Sequence, residues 1–159
     1  MRITIAAIGR LKKGPEREIA ERLMSRAEAA GRKLGLSFAI REPPESRAGS
    51  DTTRKDQEAA TIIAALPEKA ILIALDEYGQ SIDSRTFANR LERWWDDGVS
   101  EVTIAIGGAD GHGKAVLERS DLRLAFGAMT WPHQFVRLML AEQLYRAVTI
   151  LSGHPYHRD

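Results

Sequence analysis

Apolar residues along the chain follow two alternating patterns. Runs rich in isoleucine, valine, leucine and alanine at 2–8, 36–41, 70–75, 101–106 and 122–126 predict five strands. Between them, apolar positions recur at helical spacing, predicting helices at about 16–33, 53–66, 84–97 and 114–119 and a longer one at about 133–151. Strands alternating with helices indicate an α/β domain with a mostly parallel sheet flanked by helices. Local chemistry marks several boundaries. Pro15 suits a first helical turn, where a missing N–H has no intrahelical partner to lose. Thr53 is a hydroxyl cap with Asp56 three residues on, and Gly98 and Gly153 stand where helices end. The stretch from Pro43-Pro44 to Ser50 reads as a loop, and no linker divides the chain, so one domain over 1–159 is expected.

Composition narrows the class without naming a function. Apolar residues make up 43% and charged residues 28%, as in an ordinary globular protein. Cysteine is absent, which removes disulfides, zinc–thiolate sites and thiol catalysis together. No apolar run approaches the ~20 residues of a membrane span, and the N-terminal apolar stretch is too short for a signal peptide, so a cytoplasmic protein with no membrane partner is expected. The formal net charge of +1 is far from that of a strongly basic nucleic-acid binder. RNA contact would need local clusters: Arg10, Lys12 and Lys13; Arg54-Lys55; and His154 to Arg158. The first two lack interleaved aromatics and read as solvated surface.

One segment invites a phosphate-binding reading. From Gly108 the sequence "GADGHGKA" matches all but the last letter of G-x-x-x-x-G-K-[ST], and the apolar run at 71–75 ends in Asp76 like a magnesium-binding strand. A nucleotide triphosphatase needs a hydroxyl after the lysine to ligate magnesium, and Ala115 stands there. The order is also reversed, with the acidic strand upstream of the glycines. The dinucleotide pattern G-x-G-x-x-G fails too, because Gly111-His112-Gly113 is followed by Lys114-Ala115-Val116. What survives is the pair Gly107-Gly108 at the C-terminal end of a predicted parallel strand, where open α/β sheets bind ligands. Lys114 then reads as a helix-surface residue.

The last third is more specific. "FGAMTWPHQFVRLMLAEQLYRAVTILSGHPYHRD", with "IGGADG", "LRLAF", "ALDEYGQSIDS" and "ITIAAIGRLK" in register, resembles the ribosomal RNA large subunit methyltransferase H family, small SPOUT-class enzymes of the α/β-knot fold. The signals are T-[FWL]-P-H, V-R, E-Q-L-Y-R-A and the Y-H-R ending. The resemblance implies a homodimer with a C-terminal trefoil knot, a feature that chains ordinarily lack and that no pattern here derives. It implies methyl transfer from S-adenosylmethionine, without a metal, to N3 of a pseudouridine in a hairpin loop of large-subunit ribosomal RNA, with the assembled ribosome as the expected partner. By the same resemblance the cofactor-binding residues are Leu75, Gly107, Phe126, Gly127, Ala128, Met129, Thr130 and Trp131.

Methylating N3 requires loss of the proton it carries at neutral pH. His157 is a candidate base because imidazole titrates near neutrality, Arg158 a candidate for stabilising charge on the ring carbonyls, and Tyr156 for stacking on or orienting the base. His154 and His157 form an H-x-x-H, but without an accompanying carboxylate set it does not read as a metal site. In the long helix, Arg137, Glu142 and Arg146 interrupt an apolar face and are expected to pair structurally; Trp94-Trp95 are expected to pack. A non-catalytic RNA-binding module is the rival reading from a different class.

Overall fold

The computed structural model describes residues 1–157. Five strands, β1 (Arg2–Ala7), β2 (Ser37–Arg41), β3 (Ile71–Ser81), β4 (Glu101–Ile106) and β5 (Leu122–Ala125), form one sheet in the order β2-β1-β4-β3-β5. Every strand pair is parallel. The helices are α1 (Pro15–Gly31), α2 (Asp51–Ala64), α3 (Ser84–Asp96), α4 (Lys114–Arg119) and α5 (His133–Leu151), with a short 3-10 turn at Arg32–Leu34. No helix among the described residues is long and apolar enough to cross a membrane.

The period-two alternation of the strands divides the core into two layers. Ile3, Ile5, Ile73, Val102, Ile104 and Leu124 meet α1, α3 and α5 through Met24, Phe87, Leu91, Leu140 and Leu144. Leu72, Ala74 and Ala105 face the other way, toward Ala59 and Ile62 of α2 and Val116 of α4. Both faces are covered, which is why the strand segments are nearly continuous apolar runs.

Two of the departures from the expected boundaries have a visible cause. Helix α2 starts at Asp51, and its cap is Ser50, whose hydroxyl accepts from the Thr53 backbone N–H at 3.1 Å; Thr53 lies inside the first turn. Strand β3 continues to Ser81 beyond the expected end at 75. It pairs with β5 as far as Leu75↔Leu124 and pairs again at Gln80↔Leu124 and Ser81↔Ala125. The four residues between, Asp76 to Gly79, leave the ladder as an excursion that carries the exposed Tyr78. A Cβ on Gly79 would stand 2.7 Å from the Leu124 backbone, so only glycine lets the two backbones pass so closely.

Candidate active site

The C-terminal ends of β4 and β5 flank the middle of β3, where it leaves the β5 ladder after Leu75, and the segments there meet around a cavity of about 360 Å³. Its walls are Leu75 to Glu77 of β3, Ile106 at the end of β4 and Gly107 to His112 after it, Leu124 to Gly127 and Met129 to Trp131 around the end of β5, and His133 and Val136 at the start of α5. A crevice outside the carboxyl ends of parallel strands is where α/β sheets bind ligands. The volume lies within the usual range for small-molecule sites, about 300–1,000 Å³.

The glycine segment is built by its own backbone. Gly111 N–H donates to Gly108 C=O at 3.0 Å, closing a turn. A Cβ on Gly107 would stand 2.7 Å from the Gly111 carbonyl carbon and 3.0 Å from the His112 nitrogen. The requirement for glycine at 107 therefore arises from the fold of this turn before any ligand is considered. Arg54 anchors the turn to α2, with Nε 2.7 Å from Asp110 and Nη1 donating to the Ala48 carbonyl at 3.1 Å. The hydrogen bond from Arg54 holds the Asp110 carboxyl below its ordinary range. Arg54, expected as solvated surface, is thus half-buried and committed to structure. Lys114 is exposed and pairs with Glu118 one turn along α4 at 3.4 Å, away from the cavity walls, where a triphosphate-binding lysine would not be.

Two histidines on the cavity carry signals that the sequence reading did not single out. The His133 ring nitrogen Nε2 bonds the Gly107 carbonyl, tying the start of α5 to the glycine turn. His112 buries Nε2 with no hydrogen-bond partner among the described residues. Burial pushes the His112 imidazole below its ordinary value, against the opposing pull of the Leu75 backbone and the Asp76 carboxylate. Asp76 in turn pairs with Arg123 of β5, fixing the root of the β3 excursion. Trp131 Nε1 donates to the Phe126 carbonyl at 3.2 Å and closes the segment between them into a loop.

Of the eight residues selected for cofactor binding, Leu75, Gly107, Phe126, Gly127, Met129, Thr130 and Trp131 line this one cavity; Ala128 sits on the same loop without lining it. The tail residues are elsewhere. Tyr156 packs on Tyr145, with ring centroids 4.7 Å apart, and its hydroxyl donates to Glu142 Oε1 at 3.2 Å. The Arg146 guanidinium covers the Tyr156 ring at 5.0 Å and approaches His157 Nδ1 at 3.3 Å. Burial and the Glu142 carboxylate raise the Tyr156 phenol above its usual value. Glu142 and Arg146 follow His133 by nine and thirteen residues, roughly 14–20 Å along the helix. The tail is therefore not gathered with the cavity of its own chain. Arg158 lies outside the described residues. Among those described, no group of three or more histidine, aspartate or glutamate side chains is arranged to hold a metal ion.

The expected pairing within α5 is present for Arg146, whose Nε donates to Glu142 at 3.0 Å, whereas the buried Arg137 pairs outside the helix, with Glu42 just after β2, at 2.8 Å. A sequence profile described as "Predicted SPOUT methyltransferase" matches residues 1–157. The chain belongs to the SPOUT methyltransferase family. Within it, the chain is 55% identical over 159 residues to a protein of Bradyrhizobium diazoefficiens named "Ribosomal RNA large subunit methyltransferase H", covering 99% of both chains. A protein of Nitrobacter hamburgensis with the same name is also 55% identical with the same coverage, and one of Brucella anthropi is 53% identical over the whole of both chains. Among solved structures, the SpoU methyltransferase AviRb from Streptomyces viridochromogenes, in complex with the cofactor AdoMet, is similar at a TM-score of 0.42 and 15% identity; this chain spans 61% of its length. SPOUT membership and the exposed Lys114 together leave the triphosphatase reading without support.

Proposed function

We propose that this chain, a single domain over 1–159, transfers a methyl group from S-adenosylmethionine to N3 of a pseudouridine in a hairpin loop of large-subunit ribosomal RNA. We also propose that it works in the cytoplasm, on the assembled ribosome, as a homodimer with a trefoil-knotted C-terminal region. The observation that carries the cofactor part is that the three segments selected by the family resemblance, distant from one another in the chain, meet at one cavity, which seven of their eight residues line. The cavity fits the molecule in kind. Adenosylmethionine bears no phosphate, and the walls combine apolar side chains such as Leu75, Ile106 and Val136 with the backbone edge of the glycine turn. The buried, unpartnered His112 Nε2 adds one polar group able to hydrogen-bond a ligand. When bound, the cofactor supplies an electrophilic methyl on a sulfonium.

The protein's part is to hold the acceptor ring in line with that methyl and to accommodate the proton leaving N3. The proposed groups are Tyr156, His157 and Arg158, supplied by the partner subunit's tail, since the tail of one chain docks far along α5 from its own cavity. The docked geometry bears on the base. A guanidinium only donates, so the Arg146 contact leaves Nδ1 of His157 as the acceptor and puts the ring proton on Nε2. To take the N3 proton at Nδ1, His157 must leave Arg146. Arg158 then stabilises the anion developing on the ring.

Two measurements test the proposal. Calorimetry should show binding of adenosylmethionine and adenosylhomocysteine and none of magnesium ATP. Single-turnover methylation of large ribosomal subunits lacking the modification should place the methyl on N3 of a pseudouridine, and Arg158→Ala should slow it about 100-fold with cofactor affinity unchanged. Binding of ATP alone, or cofactor binding without transfer to RNA, would overturn it.

A further inference from the structure

The turn after β1 carries Arg10, Lys12 and Lys13, which in the sequence read as plain surface. In the structure its backbone is pinned at Gly9 and at Leu11. Gly9 N–H donates to the Pro43 carbonyl at 2.8 Å, and Leu11 N–H donates to Glu42 Oε1 at 2.8 Å. Arg137 Nη2 donates to the carbonyls of Ile8 and Gly9, both at 2.7 Å, and Arg17 Nη1 to that of Leu11 at 2.8 Å. Leu11 is buried. Arg10, between these anchors, and Lys12 and Lys13, just after the second, are exposed, and none makes an ion pair among the described residues.

Arg10 and Lys12 border a hollow of about 180 Å³ whose other walls include Ala109, His133, Gln134 and Glu45. Ala109 and His133 also line the cofactor cavity, so the hollow opens directly beside it. Two carboxylates, Glu42 and Glu45, act on the buried Arg137 charge, and against Arg137 together with the three cations of the turn they leave these groups two positive charges in excess.

We infer that the turn at 9–13 is a preformed clamp for the phosphate backbone of the substrate strand. Arg10 and Lys12 hold phosphates next to the target nucleotide, and Arg137 is the positioning residue that fixes the turn. The inference rests on the proposed RNA methylation and adds the residues that grip the strand. Phosphate contacts from lysine and arginine set register without reading sequence. A turn already immobilised by its backbone loses little freedom on binding. A chain of net charge +1 must concentrate its attraction for RNA locally, and here the concentration lies at the rim of the cavity.

The test compares the wild-type chain with Lys12→Arg and with the double variant Arg10→Ala/Lys12→Ala, using large ribosomal subunits that lack the modification. In the double variant the subunit concentration giving half-maximal single-turnover rate should rise about tenfold or more, and the slope of log affinity against log salt should fall by about one to two. Cofactor affinity and the saturated rate should stay within about twofold of wild type, and Lys12→Arg should keep the wild-type slope. A photoreactive group at position 13 should label RNA. Unchanged half-saturation and salt slope in the double variant, a loss that appears in the saturated rate, or labelling of ribosomal protein alone would each overturn the clamp. A wild-type chain that binds cofactor yet transfers no methyl to the subunits would instead overturn the underlying reading.

Discussion

His112 shows what a single side chain contributes at this site. Its Nε2 is buried without a partner, and burial depresses the imidazole below its ordinary value of about 6.5. In the unfolded chain the group takes up its proton near the ordinary value, while in the folded chain it resists to lower pH. The unfolded state therefore binds more protons below that point, and the folded state loses stability as pH falls from about 6.5 through the depressed value. In His112→Leu, denaturant titrations should lose this part of the acid slope, while stability above neutrality changes little or rises. An identical slope in wild type and variant would show that other groups govern it. The same substitution should weaken adenosylmethionine, because it removes the cavity's buried polar atom.

At the scale of elements, the decisive joint is Arg137, which ties α5 to the end of β1 through two carbonyls and the Glu42 carboxylate. Arg137→Met keeps much of the side-chain volume but strands Glu42 and both carbonyls, so a loss of about 3–5 kcal/mol in urea unfolding is expected. Glu42→Gln, which keeps an acceptor, should lose clearly less. The elements themselves were legible because each has its own period: β1, β4 and α5 lie within a residue of expectation. The second half of β3 was not, because Gln80 and Ser81 join the ladder through their backbones and leave no apolar run to read. Strand order was equally hidden, since hydrophobic runs state that a strand is buried and not beside which neighbour. The cofactor segments came from resemblance. His112 and His133 escaped because a lone histidine has no periodicity, although both stand inside the quoted motifs.

At the scale of the whole molecule, a groove of about 700 Å³ lies between α1, α3 and α5, lined in part by Leu23, Phe87, Leu138 and Met139. It shares Phe126 and Gly127 with the cofactor cavity, and Phe135 nearby on α5 is 45% exposed. If this face is the proposed homodimer contact, sedimentation at micromolar concentration should show a dimer, and Phe135→Glu should shift it toward monomer with loss of methylation. A fully active wild-type monomer would remove the shared site. The order of strands has a further consequence, in time. β1 is made first yet lies inside the sheet, and its neighbour β4 arrives a hundred residues later. The cavity's walls span residues 75 to 136, an interval of about 3–12 seconds at ordinary rates of synthesis. The pocket cannot close until Val136 has been made, so ligand binding must follow the synthesis of all five strands.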